Sequence, residues 1–536
     1  MHYFIDNDNQ IFSRPGEVEP HVAVEQEEYL QQIARARYFA YQLADFDGAE
    51  QAYRQVLVTK PNHIEALAGV GQALCRRHRL AVGRHYLLKA GKLMLRQTPK
   101  IEHTVLLQLA EQLRIWGEVD FALQLYRAVV KKSPQDPAAL FGVAICLQRL
   151  NYVKLASAEL DKVLKLAPDD SGCQILKAIL EAGNKQFSEA EQRLIKVLHR
   201  EKDPGQLARA CLELAKVLDQ QKRYSEAYTL ICRAGELQSG LPEVSEQDAQ
   251  YVFKKIDLYQ QSYDFSLLTR WRITDFQDVL PVPVFLMGFL RSGTTLIEQV
   301  LAAHPQVLTS DENFLLDEVI AQLELISGIK DNSPAALKNI STEQARHLRQ
   351  FYWLRVKEEY GPTSLTKCFI NKVALNSIEI GLISTLFPEA KIIYALRDPR
   401  DVCLSCSMQA FVTSVATINL LTWEGIARQY AAVMGLWLSM RECIATSYLE
   451  LRYEDAVTDF ENQFRNLFTY LGLEWRPEVS QYHKKLAGKF MATPSYSAVA
   501  QPLYQSSLTR WQGYRLYFES IQSLIQPYIQ AFGYFS

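Results

Sequence analysis

No stretch of the sequence reaches the roughly 18 uninterrupted apolar residues that a membrane span needs. The first twenty residues, MHYFIDNDNQIFSRPGEVEP, contain acidic residues and no apolar run, so a secretory signal is not expected. Net charge is equally slight. With 58 Lys and Arg against 60 Asp and Glu, the formal charge of -2 excludes a chain that wraps a polyanion by bulk charge, though not a local anion pocket. Metal-ligand spacing is missing too. The nine cysteines are scattered through helical patterns, and Cys403 and Cys406, in Cys-Leu-Ser-Cys, have no second ligand pair. The expectation is a cytoplasmic protein without a metal. What remains is globular: 48% hydrophobic and 22% charged residues rule out global disorder, and 536 residues imply two to four domains.

Prolines punctuate the first half at Pro61, Pro99, Pro134, Pro168 and Pro204, every 34–38 residues. Two amphipathic helices fit between successive prolines. Before Pro168, Leu140, Val143, Ala144 and Leu147 form one helical stripe, and Ala156, Leu160 and Val163 form the next. Leu106, Leu109, Ala110, Leu113, Ala122, Tyr126 and Val129 occupy the same offsets before Pro134. Small residues fall where paired helices must approach closely, and proline stops each second helix because it lacks an N–H. The period and pattern resemble tetratricopeptide repeats. The competing reading is an irregular all-α domain. About six units fit residues 28–238, after an N-terminal extension at 1–27. Such an array forms a superhelix with a concave groove, which implies a protein or peptide partner. Residues 239–280 read as a helical linker closed by Pro281-Val282-Pro283.

The second half opens on Val284-Phe-Leu-Met-Gly288-Phe-Leu-Arg291-Ser292-Gly293-Thr294-Thr295, a buried-strand run, a turn and an amphipathic helix. Gly288 and Gly293 have the GxxxxG spacing of a phosphate-binding loop, in which backbone N–H groups and a helix N-terminus surround an anion. A nucleotide triphosphatase needs lysine next, to reach the β/γ-phosphates. Here Thr294 stands there and the cation is Arg291, within the loop. This disfavours an ATPase or kinase and leaves a loop that holds a phosphate without splitting a triphosphate. The bland alternative is a strand–turn–helix that binds nothing.

RSGTT, its helix and Ala303-His304-Pro305 resemble the 5′-phosphosulfate loop of sulfotransferases that use 3′-phosphoadenosine 5′-phosphosulfate (PAPS). The resemblance implies an α/β P-loop-like domain with a parallel sheet at 281–536, so that the whole chain is multidomain, an all-α superhelix followed by an α/β transferase. It assigns Arg291, Ser292, Gly293, Thr294 and Thr295 to the donor. In that family an Arg at a strand end and a Ser eight residues on hold the 3′-phosphate. Arg397 and Ser405, in Lys391–Leu396 then RDPRDVCLS, have that spacing. Asp398-Pro399 also reads simply as a helix start, N-cap then N1. Leu449–Asp455 resembles the last sheet strand and places the adenine-contacting tyrosine at Tyr453. Gln501–Tyr504 and the following Ser507–Trp511 resemble the loop that closes over the donor. Where the family often has a basic residue this chain has Ala500 and Gln501, so Arg510 is the substitute cation.

The nearest resemblance is to tyrosylprotein sulfotransferases. Their glutamate 21 residues after the loop arginine corresponds to Glu312, and their lysine 25 residues before the 3′-phosphate arginine to Lys372. The resemblance makes Glu312 the general base and Lys372 the stabiliser of the leaving oxygen. Asp311 competes with Glu312, and a surface salt bridge is the alternative for Lys372. His347, in a helical run, reads as structural. Two departures stand out. Phe314 replaces an arginine that holds acidic peptides, and Ser310 and Ile370 stand near the family's disulfide cysteines. The expected activity is transfer of a sulfuryl group from PAPS, giving 3′,5′-bisphosphoadenosine, to a tyrosine of a protein recruited by the repeats. A sugar or small-molecule hydroxyl, and a non-catalytic nucleotide-binding scaffold, are the alternatives.

Overall fold

Aspartate starts the repeat helices as regularly as proline separates them. Asp136, Asp170 and Asp203 each accept a hydrogen bond from a backbone N–H in the first turn of the helix that follows, satisfying a donor the helix itself leaves free. The computed structural model describes residues 20–97, 102–310, 312–486 and 508–535. It divides into two units, Met1–Trp116 and Gly117–Ser536. The first holds α1 (Pro20–Arg37), α2 (Phe46–Thr59), α3 (Ile64–Arg76), α4 (Leu80–Arg96) and α5 (His103–Ile115). Its core gathers Ile33, Ala36, Ala52, Tyr53, Val56, Ala66, Val70 and Leu74.

The second unit continues with α6 (Val119–Lys132), α7 (Pro137–Arg149), α8 (Val153–Leu166), α9 (Ser171–Gly183), α10 (Phe187–Arg200), α11 (Pro204–Gln220) and α12 (Tyr224–Ser239). The stripe residues predicted for α5 to α8 are buried, as the periodicity requires. Proline acts in two ways. Pro61, Pro134 and Pro168 follow helix ends, whereas Pro204 is the first residue of α11, where a missing N–H costs nothing. Pro99 lies outside the described residues. A second punctuation mark was not read from the sequence. Two residues past α3, α7, α9 and α11 the chain turns through the left-handed region, at His78, Asn151, Lys185 and Lys222, with φ of 62–63°.

Three helices, α13 (Pro242–Ser245), α14 (Tyr251–Ser262) and α15 (Phe265–Leu268), lead to the sheet. This segment, read as a helical linker, packs closely. Val252, Ile256, Tyr259, Tyr263, Trp271 and Phe276 join a core that runs from Ile175 in α9 to Tyr534 near the C-terminus. The sheet has five parallel strands in the order β2-β3-β1-β4-β5: β1 (Val284–Gly288), β2 (Val307–Thr309), β3 (Cys368–Lys372), β4 (Lys391–Leu396) and β5 (Ser447–Arg452). Every residue of β1 is buried, as expected of a parallel strand covered on both faces. The connecting helices are α16 (Thr294–Ala302), α17 (Leu315–Ser327), α18 (Ser333–Asn339), α19 (Thr342–Tyr360), α20 (Ile380–Leu386), α21 (Pro399–Ser407) and α22 (Trp423–Met440), with α23 (Tyr453–Thr458) and α24 (Phe460–Leu471) after β5. The chain is therefore a helical-repeat region followed by an α/β domain. Strand order changes direction at β1, between β3 and β4, where open α/β sheets place their ligands beyond the carboxyl ends.

Candidate active site

All five strands deliver a predicted residue from their carboxyl ends. β1 leads into Gly288–Thr295, β2 into Ser310 and Glu312, β3 ends on Lys372, β4 is followed by Arg397 and β5 by Tyr453. The loop after β1 is shaped by its glycines. Gly293 has φ 97° and caps α16, and a Cβ there would stand 2.6 Å from Cδ2 of Tyr453. A Cβ on Gly288 would stand 2.5 Å from the carbonyl oxygen of Ala395 on β4. Between them Arg291 takes a left-handed φ of 68°. Ser292, Thr294 and Thr295 are buried at the positive end of α16, where backbone N–H groups are available to an anion.

The two halves of the predicted donor site meet here. Arg291 Nε donates to Ser405 Oγ at 3.0 Å. Arg397 Nη1 donates to the Arg291 carbonyl at 3.3 Å, and its guanidinium carbon lies 4.7 Å from the centre of the Tyr453 ring. Asp398 does cap α21, accepting from the Arg400 N–H at 2.9 Å and gripping the Arg400 side chain, so the helix-start role coexists with the cluster. Cys403 and Cys406 are buried in α21; burial pushes the Cys406 thiol up to about 12, against the pull of Arg291 and Arg397.

Lys372 and Glu312 also meet, with Nζ 3.2 Å from Oε1. The lysine is only 1% exposed, which removes the surface salt bridge as its explanation, while the Glu312 side chain is 52% exposed. A buried ammonium needs a charge partner, and the structure supplies one that was not read from the sequence. Glu298 of α16, 5% exposed, holds Oε2 3.6 Å from Lys372 Nζ and accepts from Thr309 Oγ1 at 3.4 Å. Its signal was a lone carboxylate in the apolar run TTLIEQVLA.

Hydrogen bonds clip the strands that carry this pair. Ser310 N–H donates to the Ile370 carbonyl at 2.9 Å, Lys372 N–H donates to Ser310 Oγ at 2.9 Å, and Asn313 bridges Ser310 and Asn371. The two positions that replace the expected cysteines are thus joined without sulfur. His304 is buried; its Nδ1 accepts from Gln306 N–H, which leaves Nε2 as the donor to the Glu474 carbonyl, a structural role. His347 is exposed on α19.

Arg510 is engaged elsewhere. Its Nε and Nη2 lie 2.9 and 2.7 Å from Asp219 Oδ2 of α11. In this structure the guanidinium expected to serve as the substitute cation is paired with that carboxylate. Asp311, Ala500, Gln501, Tyr504 and Ser507 lie outside the described residues. Among the described residues no group of three His, Cys, Asp or Glu side chains is arranged to hold a metal, and no helix is long and apolar enough to cross a membrane.

Residues 283–477 match the sulfotransferase family, and residues 117–180 match the tetratricopeptide repeat. An uncharacterized protein of Aquifex aeolicus (strain VF5) is 25% identical over 328 residues, 60% of this chain and 41% of that protein. Protein-tyrosine sulfotransferase 1 of Danio rerio is 25% identical over 260 residues, 47% of this chain and 72% of its own length. Among solved structures, the sulfotransferase domain of the Synechococcus PCC 7002 olefin synthase is 19% identical and covers 44% of this chain and 85% of its own, at a TM-score of 0.31.

Proposed function

Because the chain joins tetratricopeptide repeats to a sulfotransferase-family domain, we propose that it transfers a sulfuryl group from PAPS to the hydroxyl of a protein tyrosine, in the cytoplasm, with the repeats recruiting the acceptor. The observation that carries the reading is the meeting of Lys372 and Glu312, 3.2 Å apart, beside a glycine loop whose cation is Arg291. The residues fit such a donor. The loop has no room for a Cβ at Gly293, its hydroxyls are buried, and arginines come from both β1 and β4. PAPS supplies the sulfuryl group and a phosphate leaving group.

In this reading Arg397 and Ser405 hold the 3′-phosphate, and Tyr453 lies against the adenine. Arg291 and the amides and hydroxyls of 292–295 hold the 5′-phosphate. Lys372 balances charge developing on the oxygen that leaves with that phosphate. Glu312, half-exposed at the mouth, takes the proton from the attacking hydroxyl. Glu298 keeps a carboxylate beside the Lys372 ammonium when Glu312 turns to the acceptor. Ser310 and Ile370, standing where relatives have cysteines, support the cytoplasmic reading.

The test is to incubate the protein with PAPS and cell lysate and to map by peptide mass spectrometry where one SO₃ has been gained. Modified tyrosines are expected, and they should be lost with Glu312→Ala. Modification confined to sugars or small molecules would replace the acceptor, and none at all would overturn the transferase reading.

A further inference from the structure

We propose that Asp219, at the end of the last repeat's first helix, is a positioning residue for the donor site, acting through Arg510 on α21. This rests on the donor reading above. Both oxygens of Asp219 are used: Oδ2 by Arg510, and Oδ1 by the Tyr514 hydroxyl, which donates at 2.8 Å. The carboxylate side chain is 5% exposed. A buried ion pair is poor evidence of stability, since desolvation offsets its attraction, but it fixes a register when every partner is satisfied.

The register fixed here is that of residues 508–511 against α21. Arg510 Nη2 also lies 2.8 Å from the sulfur of Met408, the residue that caps the C-terminus of α21. At the other end of that helix, Asp401 accepts from the Thr509 N–H at 3.0 Å and the Trp511 N–H at 2.9 Å. Arg400, gripped by Asp398, lies 3.6 Å from the Trp511 ring centre. The segment therefore touches α21 at its first turn and at its end while being held to α11. Thr509 has φ 57°, a conformation disfavoured for a β-branched residue and retained only where neighbours enforce it. Tyr224 against Tyr514, and Tyr228 stacked on Tyr517 at 3.8 Å, extend the contact along the same hairpin.

α21 carries Ser405 and follows directly on Arg397, so its placement sets both proposed 3′-phosphate ligands and the Arg291–Ser405 hydrogen bond. Small displacements of such groups are costly to binding and rate. The repeat region thus supplies part of the scaffold of the nucleotide site, besides any groove for a partner.

The experiment measures binding of 3′,5′-bisphosphoadenosine to the full chain by calorimetry, together with hydrogen exchange of the ligand-free protein. Asp219→Asn should weaken binding roughly 3- to 30-fold and speed exchange across 399–408 while leaving β1 protected. Tyr514→Phe, which removes one hydrogen bond, should do the same to a lesser degree if Asp219→Asn folds poorly. Glu191→Gln, which breaks the neighbouring pair with Arg223, should change neither. Unchanged affinity or unchanged exchange at 399–408 in Asp219→Asn would overturn the proposal. If wild type binds no nucleotide, the donor reading fails, and the exchange measurement alone decides whether Asp219 governs α21.

Discussion

A lysine with 1% exposure, such as Lys372, is held in place by what it costs to leave it uncompensated. Two carboxylates share that task unequally. Glu298 is buried and Glu312 is half-exposed, so of the two Glu312 is the carboxylate that solvent reaches. Replacing Lys372 with Met should lower transfer by about 10²–10³, the usual cost of losing one group aimed at developing charge, in steady-state rates at saturating PAPS. Arg397→Ala should weaken binding of 3′,5′-bisphosphoadenosine by roughly 10- to 100-fold, since charged hydrogen bonds contribute about 1.5–3 kcal/mol; an unchanged calorimetric affinity would remove Arg397 from the site. Glu312, Lys372 and Arg397 were named from a family resemblance, and each lies at or just past a strand end, so that the structure brings them to one end of the sheet; Ser405 reaches it from within α21. Glu298 was not read from the sequence, because the pairing of β3 with β1 is what brings Lys372 beside it.

Single elements show the same division between local and distant causes. The hairpins were legible from apolar periodicity, whereas the left-handed turns at Lys185 and Lys222 were not, because lysine, unlike the Asn151 and His78 of the matching turns, does not announce a positive φ. At the start of α17, burial and the neighbouring Glu379 carboxylate push Asp317 up to about 6, against the pull of Lys255. Glu379 is itself tied to Lys255 at 2.6 Å and to the Tyr259 hydroxyl at 3.0 Å. An unfolded aspartate titrates near 4. Between about pH 4 and 6 the folded chain therefore binds more protons at this site than the unfolded one. Its contribution to stability falls as pH rises through that window, by on the order of 3 kcal/mol in all. Asp317→Asn should raise the melting temperature more at pH 7.5 than at pH 4.5. Equal shifts at both would show that Asp317 titrates normally.

Across the whole molecule, near-neutral charge conceals local concentration: Arg291, Arg397 and Lys372 gather at the carboxyl ends of the three central strands. The repeat periodicity ends near residue 238, but the apolar core does not. It continues from α9 into the sheet domain through Tyr259, Trp423 and Tyr514. That continuity was illegible because the aromatic residues of 224–276 read as amphipathic helix until their partners are in place. Deleting 1–238 should therefore yield insoluble protein, with the surfaces that receive Tyr224 and Tyr228 exposed. Deleting 1–116 should leave a folded, nucleotide-binding chain that loses transfer to protein acceptors more than to a free phenol; equal losses would assign that region to stability. The most direct measurement follows sulfur-labelled PAPS through one turnover with wild type and Glu312→Gln, both shown to bind 3′,5′-bisphosphoadenosine equally. Label should pass to the acceptor hydroxyl with wild type alone. Label that stays on the nucleotide in both, or passes equally in both, would contradict a sulfuryl transfer run by Glu312 and Lys372.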